Sequence, residues 1–363
     1  MRVLFDAYWW HRGPIANRTV MREMFFAWQR SFPEDELLLA VRNAHARHVR
    51  APQGARLVRT HLSPQALANF VELPLQAHFR GIDLTVAHNF SPAMTRSAVF
   101  VHDLMFEDHP EWFTPKELLY FRWMGRLTRF ANLVATSSQT EAERIRRLHP
   151  NISSIKAIGL APSRDLLAAE SIAPPAMATT DGHFLTVGRL NERKNLRTII
   201  DGALRSKAVT PKRPLVIVGS SEYSGLPPSL TMATDDAVAT GRVKFLGHIP
   251  DTELRWLYER ATALIFLSLD EGYGLPVAEA GLFGTPVIAS DIAVMHEVAP
   301  PGTTFVPVNA PDELAAAMTK QARGRVVARV ASERESLSAK WDQIIRELRK
   351  TALANGEPRD YAS

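Results

Sequence analysis

Two glutamates, Glu271 and Glu279, bracket EGYGLPVAE, the part of segment 268–298 best equipped for chemistry. An apolar run closes at Leu269, and Glu271 with Gly272 and Gly274 then opens a turn. Pro276 stands where a helix begins, because a first-turn residue owes no amide hydrogen to the helix ladder. The pattern predicts a helix over 277–283 that stops near Gly284. Backbone N–H groups from Gly274 to Val277 would face outward at the positive end of the helix dipole, a seat for phosphate. Glycine also lets a ligand approach the backbone closely. Glu279, about one turn into the helix, can accept hydrogen bonds from a diol held at its start. An anion seat beside two hydroxyl-gripping carboxylates suits a sugar nucleotide.

A second cluster lies in FLTVGRLNERKNLRTII. The apolar run ends at Gly188, and Asn195 is placed to cap a helix whose stripe is Leu196, Ile199, Ile200 and Ala203. Arg189 and Lys194 flank that helix start, where two cations can neutralise a departing diphosphate. In AVFVHDLMFEDHPEW, His102 and Asp103 follow another apolar run. The imidazole can serve a ligand or a structural hydrogen bond, and Asp103 can position it or satisfy backbone amides. Further upstream, Gly13 precedes Asn17, a candidate N-cap for a helix bearing Val20, Met24 and Trp28.

The elements that must position these residues alternate in type, short apolar runs with helical patterns, as in parallel α/β sheets. Strands are expected at 3–5, 84–87, 98–101 and 133–135, then at 184–187, 215–218, 243–246, 264–267 and 287–289. The chain has 363 residues, more than one core usually serves, so two domains are expected. They are 1–160 and 181–330, joined by a linker over 161–180 that carries Pro162, Pro174 and Pro175. Residues 331–363 hold a C-terminal helix from Ser332 to Lys350, striped with Leu337, Trp341, Ile344, Ile345 and Leu348, and a frayed tail. Ligands of such sheets sit beyond the C-terminal ends of the strands.

Composition removes several function classes. With no cysteine there is no disulfide, thiolate metal site or cysteine nucleophile, which fits a reducing cytoplasm. The start, MRVLFDAYWW, reads as a strand rather than a secretory signal, and apolar stretches such as 263–267 are too short to span a bilayer. The net charge of +5 resides entirely in the first 175 residues, which favours an anionic partner there, a membrane surface or a phosphate-bearing acceptor. Scattered basic residues without an aromatic recognition motif argue against nucleic acid. No D-x-D, H-E-x-x-H or G-x-G-x-x-G pattern occurs, which argues against metal-dependent sugar transfer, zinc hydrolysis and dinucleotide redox chemistry.

The frame EGYGLPVAE, continued by Gly284, Thr285 and Pro286, resembles the EGFGLPxxE signature of the fourth glycosyltransferase family, glycosyl transferases group 1, in its mannosyltransferase-like branch. That resemblance implies an α/β GT-B fold of two facing Rossmann-like domains, with the helix around Trp341 crossing back to the first. It implies a retaining, metal-independent hexosyltransferase with no cofactor, whose partners are a nucleotide-sugar donor and a glycan or lipid-linked acceptor. By the same resemblance Glu271 bonds the donor sugar, Gly272, Tyr273, Gly274 and Leu275 hold sugar and diphosphate, and Glu279 holds the ribose. Arg189 and Lys194 take the diphosphate, and His102 reaches the donor sugar. Gly13 lies near donor phosphate, although RGPIANRT has one glycine where the family is glycine-rich. Gly219, His248 and Ile249 lie near the nucleobase. The HD and KN motifs point toward GDP-mannose or deoxysugar nucleotides in surface-polysaccharide assembly, on the cytoplasmic side and peripheral to the membrane. Between about 30 and 80 the resemblance is absent, and acceptor choice is expected there. Two rivals remain open: a sugar phosphorylase or nucleotide-sugar epimerase, and a non-catalytic sugar-nucleotide-binding subunit.

Overall fold

The computed structural model describes residues 1–219, 232–323 and 334–354. Two compact units divide the chain: unit 1 holds 1–163 and 335–363, and unit 2 holds 164–334.

Unit 1 is built on strands β1 (Arg2–Asp6), β2 (Glu36–Arg42), β3 (Ala55–Thr60), β4 (Leu84–His88), β5 (Ser97–Val101), β6 (Leu133–Thr136) and β7 (Ile155–Ala157). Their order is β3-β2-β1-β4-β5-β6-β7, all parallel. Strands β4, β5 and β6 are buried at every position, because helices cover both faces of the sheet. Unit 2 uses β8 (His183–Val187), β9 (Leu215–Val218), β10 (Val243–Gly247), β11 (Ala261–Phe266), β12 (Val287–Ser290) and β13 (Thr304–Val306). Their order is β10-β9-β8-β11-β12-β13, again all parallel. Both sheets have the doubly wound α/β order expected from the sequence. Each reverses direction of winding next to its first strand, at β1/β4 and at β8/β11, where a crevice opens.

Strands β2, β3, β7 and β13 were not foreseen. Three of them, β3, β7 and β13, lie at or near sheet edges, where half-exposed or three-residue strands leave little apolar signal. Asn17 is not an N-cap. The helix Ile15–Ser31 begins after Pro14, whose fixed φ sets its entry, so Asn17 falls inside the first turn. The segment read as a linker is folded: Arg164–Ala168 is helical with Leu166 and Leu167 buried, and Met177 is buried as well.

The C-terminal helix Arg334–Ala354 belongs to unit 1. Trp341, Ile345 and Leu348 are fully buried, and the Trp341 indole N–H donates to the Pro162 carbonyl at 3.1 Å. Arg30 pairs with Asp342, and the Arg349 guanidinium lies 4.0 Å from the Phe32 ring. Leu337, Ser332 and the tail from 355, all singled out in the sequence, lie outside the described side chains or residues.

Candidate active site

In unit 2 the loops after β8 and β11, the two strands beside the winding reversal, are tied together. The Leu269 N–H donates to the Arg193 carbonyl at 2.8 Å, and the Arg193 guanidinium donates to the Asp270 carbonyl at 3.0 Å. Glu271 is 6% exposed, and its Oε1 accepts from Lys194 Nζ at 2.5 Å and pairs with Arg193 at 2.7 Å. Burial alone would raise the Glu271 pKa, but the charges of Arg193 and Lys194 win and hold it at about 2. Burial pulls Lys194 down to about 8 despite Glu271, with Arg193 and Arg189 adding to the fall. The Lys194 ammonium also lies 4.3 Å from the centre of the Phe266 ring. Gly188 clears its route, since a Cβ there would stand 2.8 Å from Lys194 Cε.

Gly274 adopts φ 93°, ψ 53°, and a Cβ there would meet Met295 Cε at 2.7 Å, so only glycine fits this turn. The helix runs Leu275–Leu282, starting two residues earlier than the sequence suggests. Consequently the Val277 N–H is not available to a ligand: it donates to the Gly274 carbonyl at 2.9 Å. The amides at the helix start able to meet an anion are those of Gly274 and Leu275, since Pro276 has none. Glu279, on this helix, accepts from the buried Tyr258 hydroxyl at 2.6 Å. Burial raises its pKa to about 7, with the Tyr258 bond opposing and Asp251 adding to the rise. Thr285 locks this pair from behind, its hydroxyl donating to the Tyr258 carbonyl at 2.6 Å.

Arg189 is exposed at the end of the β8 turn. Asn195 holds the residue before its helix but does not cap it: at φ 54°, ψ 38° it is left-handed, and its amide donates to the Val308 carbonyl at 2.7 Å. The buried stripe of that helix is Leu196, Ile199, Ile200 and Ala203, joined by Gly202. Gly219 donates its N–H to the Gly247 carbonyl at 2.9 Å, and a Cβ there would stand 1.7 Å from the Gly188 oxygen. Two backbones thus meet side by side at that point. Just beyond β10, His248 is exposed and Ile249 is buried. Gly272 is buried, and Tyr273 and Leu275 are half-buried.

The remaining candidates belong to unit 1. Gly13 has φ 142°, and a Cβ would fall 2.2 Å from the Trp9 ring, so indole packing already demands glycine. His102 follows β5; burial lowers its pKa to about 4, and Nε2 has no hydrogen-bond partner. Its ring meets His88 edge-on, with centroids 5.1 Å apart. Asp103 accepts from the Met105 N–H at 3.3 Å. Beside His102, at the ends of β1 and β4, sits a buried polar group that sequence reasoning missed. Gln65 and Asn69 both donate to Asp6 Oδ2 at 2.8 Å, and Gln65 lies 3.3 Å from His88 Nδ1. In unit 2 it also missed Arg193 and Tyr258. Arg193 could have been suspected from the basic run NERKN, whereas nothing in TELRWLYER marks Tyr258. Among the described residues, no group of three or more His, Cys, Asp or Glu is disposed to hold a metal.

Residues 169–336 match the family described as Glycosyl transferases group 1. The O-antigen chain mannosyltransferase RfbU of Salmonella typhimurium is 31% identical over 224 residues, 60% of this chain and 59% of that protein. The O-antigen chain mannosyltransferase B of Escherichia coli is 26% identical over 229 residues, 61% of this chain and 58% of that protein. The matches therefore span under two thirds of these relatives. Among solved structures, the sucrose-phosphate synthase of Thermosynechococcus elongatus superposes with a TM-score of 0.66 at 18% identity, covering 98% of this chain and 97% of that one. Anabaena HepE in complex with UDP-glucose gives 0.64 at 18% identity, covering 98% and 100%. At such identities the likeness establishes the fold, and the glycosyltransferases among these neighbours are GT-B. The match to that family thus falls on unit 2, and the chain as a whole has the GT-B α/β fold.

Proposed function

We propose that this protein is a retaining glycosyltransferase that moves a hexose or deoxyhexose, mannose from GDP-mannose foremost, onto a glycan or lipid-linked acceptor in surface-polysaccharide assembly. The observation that carries it is the Glu271 carboxylate, pinned by Lys194 and Arg193 beside the glycine turn that opens a helix. The names of the O-antigen relatives support the mannosyl reading.

In this reading both cations converge on Glu271 Oε1, so Oε2 is the oxygen that accepts from a donor-sugar hydroxyl. The Gly274 and Leu275 amides and the helix dipole hold the diphosphate, and Glu279 takes the ribose hydroxyls. Gly219, His248 and Ile249 border the base, and Gly13 the phosphate. As the glycosidic bond breaks, oxocarbenium charge grows on the sugar and negative charge on the leaving diphosphate. Lys194, Arg189 and Arg193 neutralise the latter, and no metal or cofactor is required. The acceptor attacks on the face the diphosphate leaves, and the diphosphate oxygen takes its proton. His102, neutral at pH 7, offers Nε2 to a sugar hydroxyl. The enzyme would work in the cytoplasm, with its basic first half drawn electrostatically to anionic membrane.

A thermal-shift panel of UDP, GDP and dTDP sugars tests this, since a ligand that binds only the folded state raises its melting temperature. A GDP sugar should give the largest shift, and free GDP should then accumulate only when acceptor is present. A panel in which no nucleotide sugar shifts the melting point would refute the reading.

A further inference from the structure

Unit 1 gathers cationic side chains at one end of its sheet with no carboxylate to meet them. Strands β1 and β2 run parallel with Asp6 opposite Ala40, and the Ala7 N–H donates to the Ala40 carbonyl at 3.0 Å. The segments that follow the two strands therefore emerge side by side. The first carries His11 and Arg12; the second carries Arg42, the short helix Asn43–Ala46 with His45, and then Arg47 and His48. The His11 ring is stacked on His48 with centroids 5.2 Å apart, and its centroid lies 5.7 Å from that of His45. His11, Arg12 and His48 are exposed, and Arg42 and His45 are half-buried. Residues 7–22 and 43–71 contain no Asp or Glu.

The contacts these groups make are with neutral partners. Arg42 donates to the Ser63 hydroxyl at 3.3 Å, and its guanidinium lies 5.2 Å from the Tyr8 ring centre. The Tyr8 hydroxyl is in turn 3.1 Å from Ser63 Oγ. Arg47 donates to His48 Nε2 at 3.0 Å. Among the described residues, none of His11, Arg12, Arg42, His45, Arg47 and His48 is ion-paired with a carboxylate. Burial, and after it Arg42, His11, Arg12 and His48, hold His45 below the ordinary imidazole value, and no acid opposes them. Arginines elsewhere in this unit are compensated: Arg2 and Arg56 share Glu36, and Arg144 and Arg147 share Asp108. Like charges gathered without a counter-charge repel one another, and a bound anion relieves that repulsion.

We propose that His11, Arg12, Arg42, His45 and His48 form a phosphate-binding subsite in unit 1. Donors reach it from two separate segments, which suits a group with three oxygens and a charge near −2 better than a planar, singly charged carboxylate. The two arginines supply permanent charge, and the imidazoles supply charge that grows as pH falls. A bound dianion favours protonation of His45, so binding takes up a proton and strengthens toward acid. A phosphate carried by the acceptor and free inorganic phosphate present the same chemistry. In the first case the inference deepens the proposed function, on which it then rests, by naming the class of acceptor. The second segment lies within the stretch over about 30–80 where the family resemblance is absent, so the subsite is read from this chain's own residues.

The test is NMR of the full chain labelled in its histidine rings, titrated with inorganic phosphate, sulfate and mannose 1-phosphate, with and without saturating GDP. The ring signals of His11, His45 and His48 should move together with one dissociation constant, unaffected by GDP. Sulfate keeps its charge between about pH 8 and 6, so a rise of about tenfold in its affinity over that fall reports the imidazoles alone. Arg12→Glu with His48→Glu, both exposed positions, should weaken all three anions about tenfold or more, with circular dichroism and the GDP thermal shift unchanged. Mannose 1-phosphate binding tighter than inorganic phosphate would assign the subsite to a phosphate-bearing acceptor, and equal binding to free phosphate. Histidine signals that ignore the anions, sulfate affinity independent of pH, or anions displaced by GDP would overturn the inference. Anion binding by a chain that binds no nucleotide sugar would sink the proposed function and leave this subsite standing.

Discussion

Glu279→Gln should stabilise the protein above neutral pH while weakening its hold on nucleotide. Burial raises the Glu279 pKa to about 7, against 4.5 for an ordinary glutamate. Converted at about 1.4 kcal/mol per pH unit, the difference caps the cost of ionising this side chain in the folded state at about 3.5 kcal/mol. The residue is half-buried, so solvent screening reduces the figure to about 1–2 kcal/mol. The sign follows from proton binding. A pKa raised by folding contributes stability that is complete below pH 4.5 and lost as pH rises through 7. Glutamine stays neutral throughout, and its amide oxygen can still accept from the Tyr258 hydroxyl. Melting temperatures of variant and parent should therefore nearly coincide at pH 4.5 and diverge by a few degrees at pH 8, at roughly 2–4 °C per kcal/mol. Calorimetric titration with GDP should show affinity lowered about tenfold or more, since an amide accepts from a diol less strongly than a carboxylate. A stability difference independent of pH, or a variant less stable than the parent at pH 8, would refute the burial argument.

Glu271→Ala should lower kcat roughly a hundredfold while barely changing GDP affinity, whereas Glu279→Ala should raise donor KM and weaken GDP; equal effects on GDP would undo the division of roles. Lys194, held at about 8, loses its charge as pH rises through that value, so GDP affinity should fall there. In Glu271→Gln that fall should move to lower pH, because the carboxylate no longer supports the ammonium; an unmoved profile would contradict the pairing. Turnover after exhaustive EDTA treatment should be nearly unchanged, and a large activity restored by Mg²⁺ or Mn²⁺ would show that the cations do not suffice. Trp341→Ala should cost about 3–5 kcal/mol by emptying a fully buried site, read as a lowered denaturant midpoint with unit 2 still binding GDP.

The chemistry of EGYGLPVAE was legible because its requirements are local. A left-handed glycine, a first-turn proline and an acid one turn later specify a strand–turn–helix unit whatever surrounds it. The same holds for Leu196, Ile199, Ile200 and Ala203, whose spacing alone marks a buried face, and for the apolar runs that became the central strands. What the sequence could not decide was pairing across long chain separations. Glu271 meets Lys194 and Arg193 across about 77 residues, and Glu279 meets Tyr258 only because the helix Asp251–Arg260 packs beside it. The paired cations hold Glu271 near 2, while burial, opposed by the Tyr258 bond, raises Glu279 to about 7, and residue type alone decides neither. Asn195 and Asn17 failed as caps for a related reason: a better partner, the Val308 carbonyl, and an earlier helix start at Ile15 took precedence. Only the folded unit reveals that Gln65, Asn69 and Glu72 turn inward from the run over 65–80 while Leu67, Val71, Leu75 and Phe79 face outward.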